Sequence, residues 1–154
     1  MGEIRFYSLK RRRLDVALPE LLEAALAEGE RVVVQAPSAE QAEALNERLW
    51  TYRDDGFLPH GSAGDGDPAE QPIYLTDAGD NPNGATRRVF VGGADPEPAL
   101  AAAEHSAARL SILFDADDEA ATAEARRLWT AAKAKGFALS FWREGEDGRF
   151  ERAR

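Results

Sequence analysis

The chain holds few side chains of the kinds that carry out chemistry. It has no cysteine and two histidines, so disulfides, thiolate metal sites and a cysteine nucleophile are excluded. The carboxylates nearest to His60 in the sequence are Asp54, Asp55, Asp65 and Asp67. A metal or acid–base site is one interpretation of this cluster. We favour a solvated acidic loop, and predict no bound metal and no catalytic residue.

The motifs of nucleotide-binding and hydrolytic enzymes are absent as well. The phosphate loop GxxxxGK[ST] does not occur, and neither do GxSxG and HExxH. A dinucleotide site needs GxGxxG after the first strand, where this sequence reads SLKRRRLD. We therefore predict no cofactor. The alternative is a small-molecule or nucleotide-binding enzyme of flavodoxin-like shape, which needs a pocket at the carboxyl ends of the strands.

A predicted helix late in the chain, DDEAATAEARRLWTAAKAKG, carries two distinct stripes. The first stripe consists of Ala121, Ala125, Leu128 and Ala132, which we expect to face the core. The second lies about 100° around the helix and consists of Thr122, Arg126, Trp129 and Lys133. A tryptophan beside cations suits a ligand with apolar and anionic parts together, such as an acidic peptide that ends in an aromatic residue and its C-terminal carboxylate. The other interpretation is that Trp129 packs under a loop and the cations are solvated.

A second unexplained group of side chains lies between residues 45 and 61, LNERLWTYRDDGFLPHG. Leu49 fits the inner face of a helix, but Trp50 points off that face, and Phe57 and Pro59 follow in a loop. Loops are normally polar and on the surface. These large apolar groups therefore either fold back on the core or anchor a partner, and the pattern alone does not choose between the two.

The elements that position these residues alternate between strands and helices. Buried strands are predicted at Arg31–Gln35 and Leu110–Phe114, and a capping box at Ser38 opens a helix. Asp15 is the expected N-cap of the first helix, which places Pro19 in its first turn. Asp117 or Asp118 is expected to cap the last helix, and Gly136 to end it. The alternation predicts a single three-layer α/β/α Rossmann-like domain over residues 1–154, with a mainly parallel sheet. A flexible loop is expected at about 61–70.

Charge and hydropathy restrict the partners. The net charge of -9 opposes contact of the whole surface with the phosphates of nucleic acid. Lys10–Arg13 is a candidate local basic patch, and a solvated turn is the favoured interpretation of it. No apolar run reaches the roughly 18 to 20 residues that span a bilayer, and the opening MGEIRFYSLKRRR is not a secretory signal. We expect a cytoplasmic protein that does not contact membranes.

In its motifs the chain resembles the chi subunit of bacterial DNA polymerase III, an accessory protein of the clamp-loader assembly. The resemblance runs from about Phe6 to Phe141. It rests on FYSL, RVVVQA, LNERLWTYRDDGFLPHG, QPIYLT, NPNGA and the late helix ending in GF. The block LW…FLPHG is the most specific of these motifs.

The resemblance implies a Rossmann-like fold, no catalysis and two protein partners. One is the acidic C-terminal tail of single-stranded DNA-binding protein, which an arginine and an aromatic residue of the late helix hold in the family. Arg126 and Trp129 stand at those positions, with Lys133 nearby. The other partner is the psi subunit, or a repair helicase where psi is missing. The residues implied for that surface are Trp50, Phe57 and Pro59.

The sequence departs from better-known members in two places. The Asp- and Gly-rich stretch after His60 is its own, and Thr122 and Thr130 stand where other members carry basic residues. The second departure implies a weaker hold on the tail.

Overall fold

The computed structural model describes residues 2–10, 14–51, 60–62, 67–79, 81, 83–104, 108–145 and 150–153. Within these residues the strands are β1 Glu3–Leu9, β2 Val32–Gln35, β3 Ile73–Thr76, β4 Arg87–Phe90, β5 Arg109–Asp115, β6 Ala138–Glu144 and β7 Phe150–Arg152. The helices are α1 Leu14–Ala27, α2 Ala39–Thr51, α3 Glu97–Ala103 and α4 Glu119–Lys135, with a 3-10 helix at Pro68–Glu70. No helix in these ranges is long and apolar enough to cross a bilayer.

The strands form one sheet in the order β3-β2-β4-β5-β1-β6-β7. Every pairing is parallel except that of β7, which lies antiparallel to β6. The predicted α/β class with a mainly parallel sheet is therefore confirmed. In the register of the central strands, Phe6 lies opposite Ile112 on one side and Phe141 on the other.

Helices cover both faces of the sheet, which confirms the three-layer arrangement. One face carries α1 and α2, and its core includes Leu18, Leu22, Val32, Val34 and Leu49. The opposite face carries α3 and α4, and its core includes Ile4, Phe6, Leu100, Ile112 and Leu128. Neighbouring side chains of a strand point to opposite faces of the sheet. Because β2 is buried on both faces, it carries valine at three consecutive positions, Val32 to Val34.

Both ends of α4 match the sequence prediction. The Asp118 carboxylate accepts a hydrogen bond from the amide of Ala121 at 3.1 Å, and Gly136 ends the helix in the left-handed region at φ 92°. The prediction for α1 is wrong at its start. Asp15 lies inside a helix that begins at Leu14, so it is not the N-cap, and Pro19 sits deeper in the helix than its first turn.

Residues 61–70 lie only partly in the described ranges. Gly61 pairs with Tyr74 of β3 in an isolated parallel bridge, and the 3-10 helix at Pro68–Glu70 leads into β3. The expected flexibility of residues 63–66 concerns positions outside the described residues and stays a prediction.

Candidate functional site

A groove of about 380 Å³ runs between α4 and the sheet. Strands β1, β5 and β6 form its floor, and α4 forms one wall. The lining residues are Phe6, Ser8, Phe114, Ala116, Thr122, Ala125, Arg126, Trp129, Thr130 and Phe141. Three of the four residues of the second α4 stripe therefore face a single groove.

Aromatic rings shape this groove. The ring centroids of Phe6 and Trp129 lie 5.4 Å apart, edge to face, and those of Trp129 and Phe141 lie 6.4 Å apart. Phe114 stands 6.2 Å from Phe141 on the same floor. Trp129 is half-buried, because it packs on two neighbouring strands while one side of it lines the groove. It contacts the sheet, so the interpretation that it packs under a loop does not describe it.

The two cations of the stripe are exposed. Arg126 lines the groove, whereas Lys133 lies outside the lining, two helical turns further along, a rise of about 10 Å. Among the described residues neither forms an ion pair. Arg127 differs: its guanidinium lies 2.6 Å from Glu124 and 2.8 Å from Glu97, and these hydrogen bonds raise its pKa. Arg126 is therefore the arginine available to an anionic ligand at this groove.

The sequence did not single out the floor of the groove. Phe6, Phe114 and Phe141 belong to strands whose alternation marks them only as core candidates. Their convergence depends on the register of three strands that are distant in sequence. Ser8 and Thr122 add hydroxyl groups, and the Thr122 hydroxyl donates to the Ala116 carbonyl at 3.4 Å.

The second predicted surface is described only in part. Trp50 lies in the last turn of α2, but its side chain, Phe57 and Pro59 lie outside the described residues. The stretch that follows is anchored to the domain. His60 is 2% exposed, and its Nε2 lies 3.0 Å from the Asn46 carbonyl oxygen in α2.

A small polar network strengthens this anchor. The Ser62 hydroxyl donates to a Glu43 carboxylate oxygen at 2.7 Å, and the Asn46 amide donates to the other oxygen at 3.1 Å. Gly61 adds two backbone hydrogen bonds to β3. His60 is thus a structural residue of the core, which its acidic surroundings in sequence did not predict. Within the described ranges no three His, Cys, Asp or Glu residues are placed to hold a metal ion.

A larger cleft of about 850 Å³ opens at the carboxyl ends of β1, β4 and β5. This is where the enzyme alternative requires a pocket. Its charged lining residues are Lys10, Asp95, Asp115, Asp117, Asp118 and Glu124. Among the described lining residues carboxylates outnumber cations, and Arg11, Arg12 and Arg13, which follow Lys10, lie outside the described residues.

The chain is therefore an α/β protein with a peptide-sized groove between α4 and the sheet. Aromatic rings line this groove, and the Arg126 cation borders it. The chain belongs to the DNA polymerase III chi subunit family, HolC, whose family model matches residues 1–140. It is also similar to the probable DNA polymerase III subunit chi of Rickettsia prowazekii (strain Madrid E), with 36% identity over 95 residues. That match covers 62% of this chain and 58% of the length of the relative.

These comparisons confirm the resemblance seen in the motifs. They place the chain in a family of DNA polymerase III subunits. Arg126, Trp129 and the His60 anchor all fall inside the matched residues, whereas Phe141 and β7 lie beyond them.

Proposed function

We propose that this protein is a non-catalytic subunit that links the clamp-loader assembly to single-stranded DNA-binding protein by holding the acidic C-terminal tail of that protein. It would act in the cytoplasm, where bacterial DNA is replicated. The observation that carries the proposal is the groove beside α4, where the Arg126 guanidinium borders a floor of aromatic rings. Membership of the chi family supports the replicative setting.

The groove suits both parts of such a tail. A terminal aromatic ring can pack on the half-buried rings of Trp129, Phe114 and Phe141, since edge-to-face contacts favour aromatic pairs. The terminal carboxylate then lies beside Arg126, where a charge-assisted hydrogen bond forms. Acidic residues that precede the ring reach Lys133, because about three extended residues span the rise of roughly 10 Å between the two cations.

The surface around Trp50, Phe57 and Pro59 is proposed to bind the psi subunit, or a repair helicase in its place. The anchoring of His60 and Ser62 to α2 supports this, because it fixes the chain just after these residues. A segment with a fixed end loses less conformational entropy when it binds a partner.

A direct test measures the binding of a labelled peptide with the acidic tail sequence and a terminal phenylalanine. Arg126→Ala should weaken binding at least tenfold, since a charge-assisted hydrogen bond contributes about 1.5–3 kcal/mol. Arg127→Ala is the matched control: it removes the neighbouring arginine, which is already paired with Glu97 and Glu124. Binding of the peptide should also weaken as the salt concentration rises, because Arg126 and Lys133 are exposed to solvent.

Two results would count against this site. One is a peptide without its terminal phenylalanine that binds as well as the intact peptide. The other is an equal loss of affinity in Arg126→Ala and Arg127→Ala, which would show that the surface merely attracts negative charge. The enzyme alternative is tested by a thermal-shift screen with nucleotides and divalent metals, in which we expect no stabilisation.

A further inference from the structure

The floor of the groove beside α4 holds a serine among aromatic rings. Ser8 lies on β1 two residues after Phe6, so alternation along the strand places both side chains on the face toward α4. Across the sheet Ser8 lies opposite Phe114 of β5, and both residues line the groove. Ser8 is 8% exposed. The groove therefore has a buried hydroxyl group in a floor of phenylalanine rings.

This hydroxyl has unused hydrogen-bonding capacity. Within the described part of the chain no residue forms a hydrogen bond with the Ser8 side chain, and its oxygen is not sealed off by protein atoms. A hydroxyl can donate one hydrogen bond and accept two, and polar side-chain atoms in buried positions are normally paired. The Ser8 hydroxyl is thus a donor that a ligand in the groove can use.

Hydrogen bonds fix the start of α4 beside Ser8. The Thr122 hydroxyl donates to the Ala116 carbonyl at 3.4 Å, and the Ala116 amide donates to the Leu9 carbonyl at 2.8 Å. Leu9 is the last residue of β1 and follows Ser8 directly. The first turn of α4 is therefore tied to the end of β1 that carries the buried hydroxyl.

A ring contact fixes the next part of α4 over β1. The centroids of Trp129 and Phe6 lie 5.4 Å apart, so α4 runs back along β1 from Ser8 toward Phe6. Arg126 stands one helical turn after Thr122 and about one turn before Trp129. It therefore lies above the stretch of β1 between Ser8 and Phe6. The guanidinium and the hydroxyl border the same end of the groove.

We propose that Ser8 is a specificity-determining residue of the tail site, an inference that rests on the proposed function. The Ser8 hydroxyl donates to one oxygen of the terminal carboxylate, and the Arg126 guanidinium donates to the other. A carboxylate accepts through both of its oxygens, and hydrogen bonds to a charged acceptor are the strong ones. A carboxamide or a continuing chain offers one carbonyl oxygen and no charge. The site therefore selects the free end of a chain over an acidic segment within a chain.

The order of side chains along α4 fits the end of a peptide. Lys133 lies in the last turn, Trp129 one turn earlier and Arg126 about one turn earlier again. A tail that passes Lys133 with its acidic residues places its terminal ring against Trp129. Its carboxylate then comes last, at the end of the groove where Arg126 and Ser8 lie.

The test uses the full chain and two labelled peptides of the acidic tail sequence that differ only in their last group, a free carboxylate or a carboxamide. Fluorescence anisotropy should show that the parent protein prefers the free acid. Ser8→Ala should weaken binding of the acid about tenfold and of the amide about twofold, because hydrogen bonds to charged groups are stronger than those to neutral groups. The preference for the acid should therefore fall about fivefold.

Two variants control for the shape of the groove. Thr122→Val removes the other hydroxyl at this end, whose proton already goes to the Ala116 carbonyl, and should leave the preference unchanged. Ser8→Thr keeps the hydroxyl and should keep the preference, even where its extra methyl group lowers both affinities. Ser8→Ala should unfold at the same temperature as the parent protein, since no hydrogen bond between described residues is lost.

The outcomes separate this inference from the function on which it rests. If the parent protein binds neither peptide, the proposed function is wrong and the role of Ser8 with it. If the parent protein prefers the acid and Ser8→Ala keeps the full preference, the assignment of Ser8 alone is overturned. Arg143 lies opposite Ser8 on β6 and is exposed. Loss of the preference in Arg143→Ala but not in Ser8→Ala would identify that arginine as the second donor and overturn the assignment.

Discussion

At the scale of single residues, Trp129 has both a packing role and a proposed binding role. Its ring contacts Phe6 and Phe141 edge to face, so Trp129→Ala opens a cavity beside the sheet. We expect a loss of about 2–3 kcal/mol in unfolding free energy, below the value for a fully buried tryptophan because the residue is half-buried. Urea denaturation measures this loss.

The control Trp129→Phe separates the two roles. A smaller ring keeps aromatic contacts with Phe6, and should restore most of the stability and part of the tail affinity. If Trp129→Ala leaves the unfolding free energy unchanged, the Trp129 ring does not pack on the sheet.

Glu30 and Arg87 form the most buried ion pair among the described residues. The guanidinium donates to both carboxylate oxygens at 2.7 and 3.2 Å, and each side chain is 11% exposed. Arg109 donates to the same carboxylate at 3.0 Å. Arg87→Met leaves that carboxylate with one exposed partner, so we expect a loss of about 2–4 kcal/mol in unfolding free energy.

The exposed cluster around Arg127 provides the comparison for this pair. Arg127→Met should change the unfolding free energy by less than about 0.5 kcal/mol, since exposed ion pairs contribute little. Equal effects of Arg87→Met and Arg127→Met in chemical denaturation would contradict the burial argument.

The same pair makes stability depend on pH. The hydrogen bond from Arg87 lowers the pKa of Glu30 below its ordinary value of 4.5. A carboxyl group with a lowered pKa binds fewer protons in the folded state, so its stabilisation is complete above the unfolded pKa and is lost as the pH falls through the folded pKa. In Glu30→Gln the unfolding free energy should therefore fall less between about pH 5 and pH 3 than in the parent protein.

At the scale of elements, α4 has a defined N-terminal boundary at Asp118. The carboxylate accepts from the Ala121 amide, and loss of such a cap weakens a helix by about 1 kcal/mol. Asp118→Ala should lower the unfolding free energy by this amount, and Asp118→Asn, which keeps an acceptor, should lower it much less. A null result for Asp118→Ala in thermal or urea unfolding would show that the cap is not formed.

Elements with strong local signals were predictable from sequence, and contacts between distant elements were not. The β-branched run of β2 and the caps of α4 act within a few residues, so their patterns identified them. The groove needed the register of β1 and β6, which puts Phe6 beside Phe141, and no local pattern contains that register. His60 was missed for the same reason: its partner, the Asn46 carbonyl, lies in another element.

At the scale of the whole molecule, the distribution of charge matters more than its sum. The net charge is -9, and the cleft at the carboxyl ends of the strands concentrates carboxylates. The exposed cations Arg126 and Lys133 instead lie on one stripe of α4. This stripe is a small cationic site on an acidic molecule, which favours a short acidic peptide over a continuous phosphate backbone.

This distribution predicts how the protein meets single-stranded DNA. Alone, it should not shift a labelled oligonucleotide in an electrophoretic assay at physiological salt, because its net charge of -9 opposes contact with the phosphates. With single-stranded DNA-binding protein on the oligonucleotide, it should produce a further shift. That shift should disappear when the acidic tail is deleted or when Arg126→Ala replaces the parent chain, and it should persist in Arg127→Ala. A direct shift of naked DNA that survives Arg126→Ala would mean that another, basic surface binds nucleic acid.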